Sequence, residues 1–290
     1  MPVLVWGMII GGLAALGAGL ILVRGRFRAA SGAERWIVLG PVFEAVALAM
    51  FAAEHFFAAR QMMGIVPKWI PGALFWTYFF GVGLLAAAVS FIAWRGVRWS
   101  APLLALFFLI IVASVDLPQL SRSWHQRLFW TLTVRETAFA GGAMVLAGSV
   151  FSRDSPFAAA LIRIGRAVVA ATMIFYGIEH FLFPGFVPGV PLAKPMPAWM
   201  PAPALLAFFV GATLVLAGVG LFIRRTISIA AASSGAVLVL LTAFFYLPIL
   251  LLELHTPNAL EGLNYVGDTL LFAATVLLTG SPSMTADSGA

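Results

Sequence analysis

Apolar residues run through this chain in blocks of about 20, and the breaks between blocks are short clusters rich in Arg, Pro and Gly. Coiled as an α-helix, a block of that length matches the hydrocarbon core of a bilayer. The blocks do not alternate apolar with polar residues, which argues against an outer-membrane barrel. Helices are the expected spanning form, because each satisfies its own backbone hydrogen bonds. Nine spans are predicted, at about 3–23, 36–57, 72–94, 99–117, 132–151, 161–183, 204–223, 227–252 and 265–280. The pattern describes an all-α integral membrane protein.

The breaks carry a second pattern. FAAEHFFAARQMMGIVPKWIP at 51–71 and YGIEHFLFPGFVPGVPLAKPMPAWMP at 176–201 each place Glu beside His at the end of an apolar block, then follow with Pro-x-Trp-x-Pro. Glu54-His55 matches Glu179-His180 at an offset of 125, and Pro67, Trp69 and Pro71 match Pro197, Trp199 and Pro201 at 130. Gly81 with Gly211, Arg95 with Arg225 and Pro118 with Pro248 keep 130, while Glu136 and Asp268 stand 132 apart. The offset changes only in loops, so resemblance by composition alone does not explain it. Each copy holds an even number of spans, so both are predicted to insert the same way up, as parallel repeats. The chain divides into a leading helix with its basic flank (1–30), a first four-helix unit (31–152), a second (153–280), and a polar tail (281–290) expected to be disordered.

Composition agrees: 62% of residues are hydrophobic and 10% charged, too few to cover a water-facing surface. The net charge of +6 would suggest nucleic acid in a soluble protein. Here the basic residues form clusters such as RGRFR at 24–28, suited to orienting the chain and meeting lipid headgroups, so no nucleic-acid partner is expected. Eleven of the 17 Lys and Arg fall on the side that receives Arg24, Arg26, Arg28 and Arg35. That places the N-terminus outside and the C-terminus in the cytoplasm of a plasma (inner) membrane. The first block lacks a basic leader and is followed by Arg24, which predicts a retained helix rather than a secretory signal. The absence of cysteine excludes disulfides, thiol relays, Fe–S clusters and thiolate zinc sites. No phosphate loop, dinucleotide fingerprint, HExxH or hydrolase elbow is present, and no metal site is predicted.

The Glu-His-Phe helix end, the Pro-x-Trp-x-Pro loop and the glycine-bearing helix that follows resemble the DoxX-like membrane proteins. The resemblance covers about 36–150 and 161–280, and implies two fused four-helix units behind an extra helix. It also implies association with membrane redox processes, including subunits that accompany thiosulfate or quinol oxidation. A quinone or a redox partner protein is then the expected partner, besides the lipids. Relatives tied to disulfide chemistry offer no guide, since this chain has no thiol.

With the N-terminus outside, Glu54, His55, Glu179 and His180 gather near one depth with Asp116, Glu136, Glu253, His255 and Asp268. Ionisable groups inside spans are costly and face a bundle interior or a wet cavity. Adjacent helix positions point about 100° apart, so Glu and His of each pair reach different neighbours. Glu136 and Asp268, at the start of each unit's last helix, are the predicted partners. One account makes each set an interhelical clamp. A second makes it a pocket for quinone or another small apolar ligand, where His and acid move a proton. A third, b-type haem on His55 and His180, would need one haem to sit between the two units. The Pro–Trp–Pro residues fit interfacial anchors or a re-entrant cap. Glu44 has no counterpart, that position being Val169, and is expected to meet a basic residue or the leading helix. The glycines of GMIIGGLAALGAG at 7–19 suit close helix packing. Function on this basis is that of an accessory or quinone-interacting subunit of a membrane redox system; catalysis by the chain itself is left open. The alternatives are a small-solute transporter, against which no matched pair of broken helices is visible, and a structural scaffold.

Overall fold

A computed structural model describes residues 2–152, 154–190 and 192–281; the tail beyond Ser281, expected to be disordered, lies outside them. The protein is an all-α, multi-pass membrane protein. Helix α1 (Pro2–Ala29) leads through a short α2 (Glu34–Ile37) to α3 (Gly40–Phe57), α4 (Ala59–Met62) and α5 (Ala73–Ala93). Next, α6 (Val97–Ile111) passes through a π-helical turn, π1 (Val112–Asp116), into α7 (Leu117–Arg122), and α8 (Arg127–Val150) follows. The second half comprises α9 (Pro156–Leu182), α10 (Pro203–Phe222), α11 (Ile227–Leu241), π2 (Thr242–Tyr246), α12 (Leu247–Glu253) and α13 (Ala259–Thr279). Counting α6–π1–α7 and α11–π2–α12 as single rods, eight helices are long and apolar enough to cross a membrane. The predicted fifth span corresponds to α8, which falls outside that set; Arg127, Arg135 and Glu136 dilute its apolar character.

Prolines set the two π turns. A proline offers no N–H to the carbonyl four residues back, and its ring crowds that carbonyl. Pro118 and Pro248 each stand two residues past the end of a π turn, and the intervening Leu117 and Leu247 N–H groups reach back five residues to Val112 and Thr242. The widened turn makes room for the ring and lets the rod continue. The fourth span therefore runs to Arg122 rather than ending before Pro118.

The rods form a pinched ring. In order, α3, α5, α6, α8, α9, α10, α11 and α13 each pack on the next, α13 closes on α3, and α8 meets α13 across the middle. Helix α1 lies outside, against α3 and α5. The last helix of each half thus packs on the first helix of the other. Helices α8 and α13 run parallel: Arg135 meets Asp268, and two turns on Gly142 meets Thr275. Both are well enclosed along much of their length: every residue from 267 to 279 is buried, as is every residue from 138 to 149 except Met144. The rods around them turn Phe75, Phe79, Val82 and Val89 of α5, or Leu205, Phe209 and Leu216 of α10, outward to lipid.

Between helices in lipid the hydrophobic effect contributes little, and close van der Waals approach takes over. Small residues make that approach possible. A Cβ on Gly81 would lie 2.8 Å from the Cβ of His55, and one on Gly211 would lie 2.9 Å from the Cβ of His180. The glycine after each Glu-His motif is where α5 or α10 crosses the histidine. A Cβ on Gly165 would run into the Gly141 carbonyl oxygen, which is backbone and cannot swing away. Gly165→Val is therefore expected to cost upwards of about 1–3 kcal/mol. Gly83→Ala, with nothing within 4 Å, should be neutral or slightly stabilising. Thermal unfolding of the two variants in detergent checks both.

Candidate functional site

A layer of polar side chains crosses the bundle at one end. It lies opposite Arg24, Arg26 and Arg28, because α1 meets α3 as Gly19 on Val42 at the basic end and Gly7 on Phe57 at the other. Starting from α3, Glu54 Oε1 accepts from Asn264 Nδ2 at 3.2 Å. One turn along α13, Asp268 Oδ2 accepts from Arg135 Nη1 at 2.5 Å. Arg135 also donates from Nε and Nη2 to Glu136 Oε1, at 3.1 and 2.7 Å. One turn back along α8, Thr131 Oγ1 donates to Glu179 Oε2 on α9 at 3.0 Å, and Arg127 Nη1 lies 3.6 Å from the same oxygen. The Tyr176 hydroxyl donates to the Thr131 carbonyl at 2.9 Å. The two Glu-His motifs thus share one polar layer, made of three bonded groups set a turn apart along α13 and α8.

The partners differ from those predicted. Glu54 and Glu179 reach Asn264 and Thr131 with Arg127, on the last helix of the opposite half, rather than Glu136 or Asp268 of their own. Those two acids instead share Arg135, whose position in the second half is Gly267. Arg135 is not among the site residues predicted from the sequence. A guanidinium beside Glu136 inside an otherwise apolar block was the available signal. Asp116, at the end of π1, lies in electrostatic range of Glu136 and Arg135 and keeps one buried carboxyl oxygen without a partner.

The two histidines differ. Each ring holds the backbone carbonyl four residues back: His55 Nδ1 with Phe51 at 2.8 Å, His180 Nδ1 with Tyr176 at 2.5 Å. His180 Nε2 further accepts from the Gly189 N–H at 2.8 Å, so both its nitrogens are engaged. Haem ligation or proton transfer by His180 would require that loop to leave. Gly189, at φ +96°, sits in the left-handed region where a side chain would be strained. The loop around it dips inward, with Val187, Pro188, Gly189 and Val190 buried. Tyr246 donates to the Pro188 carbonyl at 2.5 Å, and Arg127 Nη2 donates to the Leu192 carbonyl at 3.1 Å. Lys194 ties the loop to Glu253 at 3.0 Å and to Glu261 at 3.4 Å.

The Pro–Trp–Pro residues form matching turns beyond the helices, with Ile70 N–H on the Pro67 carbonyl and Met200 N–H on that of Pro197. Pro71 accepts from Trp76 Nε1 at 3.1 Å, Trp69 is exposed, and Trp199 lies against Phe245 with Pro201 after it. Glu44 is fully buried, and neither of its carboxyl oxygens has a hydrogen-bond partner, so the expected basic residue is not there.

An open depression of about 440 Å3 leads to the layer. Leu192, Pro257 and Leu260 form its apolar wall, and Asn264, Tyr265 and Asp268 its polar side, with Glu261 at the rim. Among the described residues no group of three or more His, Asp or Glu is placed to hold a metal ion. No family model, curated protein or solved structure matches the chain.

Removing one member of a buried ion pair leaves an uncompensated charge, at about 3–5 kcal/mol. Arg135→Leu, which strands Asp268 and Glu136, is expected to cost that much, and adding Asp268→Leu should recover part of the loss. Tyr246→Phe leaves the buried Pro188 carbonyl unpaired, at about 1–3 kcal/mol. It should raise hydrogen exchange in the 183–202 loop without altering the rest.

Proposed function

We propose that the protein is a DoxX-like subunit of the inner membrane that accompanies a redox system and handles the protons of a quinone-class ligand. One observation carries the reading: the depression ends on Asp268, and around its partner Arg135 stand three carboxyls, those of Asp116, Glu136 and Asp268. A one-to-one ion pair is electrostatically closed, whereas three acids on one guanidinium can take up and release protons. Oxidation of a quinol releases two protons and two electrons; the protons go to these carboxyls and the electrons to a redox partner protein. The depression has the size and the mostly apolar lining of a small-molecule site. With the arginine-rich end in the cytoplasm, it opens toward the outer face.

A second reading, a small-solute transporter, is favoured by the matched π turns. Irregular segments at corresponding places in two halves mark substrate paths in many transporters, and Asp116 ends one of them.

Protein extracted in mild detergent is expected to retain quinone. Asp268→Asn, which keeps an acceptor for Arg135, should lower retention by about tenfold, or ~1.4 kcal/mol. Equal retention by the variant removes Asp268 from the reading. Solute flux in proteoliposomes holding this chain alone would replace it with the transporter.

A further inference from the structure

The turn between α5 and α6 lies at the end of the bundle opposite the polar layer. Arg26 of α1 stands over the Trp94 ring at 4.4 Å, and Arg95 follows Trp94 in the chain. Ser90 Oγ donates to the Arg95 carbonyl at 2.6 Å and holds the turn. Among the described residues every ion pair belongs to Arg127, Arg135 or Lys194, all at the other end. Arg95 is exposed, and its guanidinium meets no carboxylate among them.

From this turn an open groove of about 440 Å3 runs along the lipid-facing side of α5. Val82, Leu85, Ala86 and Val89 line it, and Ser90 and Arg95 close its end. Small residues make the recess. Ala86 presents only a methyl between Val82 and Val89, and a Cβ on Gly83 of the same face would meet nothing within 4 Å. At the offset of 130, the second half has Leu216 in place of Ala86 and Thr213 in place of Gly83, and Leu216 projects with 73% of its surface exposed. Both halves therefore carry a cation at this level, Arg95 or Arg225. Arg95 stands over a recess, and Arg225 follows a helix whose matching position is filled by leucine.

We propose that the α5 groove is a binding site for an anionic phospholipid, with one acyl chain along the helix and the phosphate on Arg95. The length fits one leaflet. Val82 to Ala93, the last residue of α5, spans about 16 Å at 1.5 Å per residue. Half of a bilayer's hydrocarbon core is about 15 Å. The chemistry fits at both ends. Apolar walls hold methylene groups by van der Waals contact, the force that remains where the hydrophobic effect contributes little. A guanidinium grips phosphate oxygens through paired N–H donors. The second charge, on Arg26, favours a lipid of net negative charge over a zwitterion with the same phosphate. The site lies at the opposite end of the bundle from Asp268 and is independent of the redox reading.

The test is native mass spectrometry of the full chain in detergent, titrated with dioleoyl phosphatidylglycerol or dioleoyl phosphatidylcholine. The two lipids have identical acyl chains and differ in headgroup charge. The first phosphatidylglycerol is expected to bind about tenfold more tightly than the first phosphatidylcholine. Ala86→Leu copies the second half and leaves every charge in place; it should weaken the first phosphatidylglycerol by about tenfold. Arg95→Gln should bring that lipid to the level of phosphatidylcholine. Arg225→Gln, the matching change in the second half, should leave the first lipid unaltered. Ala86, Arg95 and Arg225 are all exposed, so these variants disturb no internal packing. Should Ala86→Leu not purify, Ala86→Val fills the groove in its place. Equal affinity for the two lipids, or unchanged affinity in Ala86→Leu or Arg95→Gln, overturns the site. An equal loss in Arg225→Gln overturns it too, leaving only general attraction between arginines and headgroups.

Discussion

The ion pair between Arg135 and Asp268 ties together the two helices about which everything else is arranged. In a bundle surrounded by lipid, an unpaired charge is far costlier than in water, so these side chains must find each other whatever else varies. Because they stand on the closing helix of each half, α8 and α13 are held side by side at the centre. The first helices, α3 and α9, each pack on the opposite half's closing helix as well as on the next long helix of their own half. Glu54 and Glu179 take their partners accordingly.

Around this centre the halves share a scaffold and differ in what fills it. Both cross a histidine-bearing helix with a glycine, and both carry a π turn ahead of a proline. Only the second folds its own backbone inward, and there His180, Tyr246 and Arg127 hold the Gly189 N–H and the Pro188 and Leu192 carbonyls, while the Val187 N–H bonds to the Lys194 carbonyl. Irregular backbone at this depth is tolerated only when so satisfied. The replacement of Tyr246 by Asp116, and of Gly267 by Arg135, shows that the polar layer is built unevenly on an even frame.

Much of this frame was legible in the chain. Long apolar blocks are decisive for membrane helices because composition alone separates them from loops. What escaped was relational. Matching offsets identify equivalent positions in two copies, not which copy touches which, so Glu54 and Glu179 were given partners in their own halves. The last span is predicted from about 265, whereas α13 begins at Ala259 and so carries Asn264, the partner of Glu54, within the helix. Pro118 read as a stop because proline breaks a regular α-helix, and the π turn that accommodates it leaves no mark in composition. The inward loop was visible only as five extra residues among prolines.

The closing of α13 on α3 also bears on how the protein is made. Glu54 and its hydrogen-bond donor Asn264 are separated by 210 residues, so α3 enters the bilayer long before its partner leaves the ribosome. Until then its carboxyl faces either lipid or the insertion machinery, which must shelter it. The α3–α13 contact forms only once α13 has been made, and a chain cut short before that point leaves the Glu54 carboxyl without Asn264.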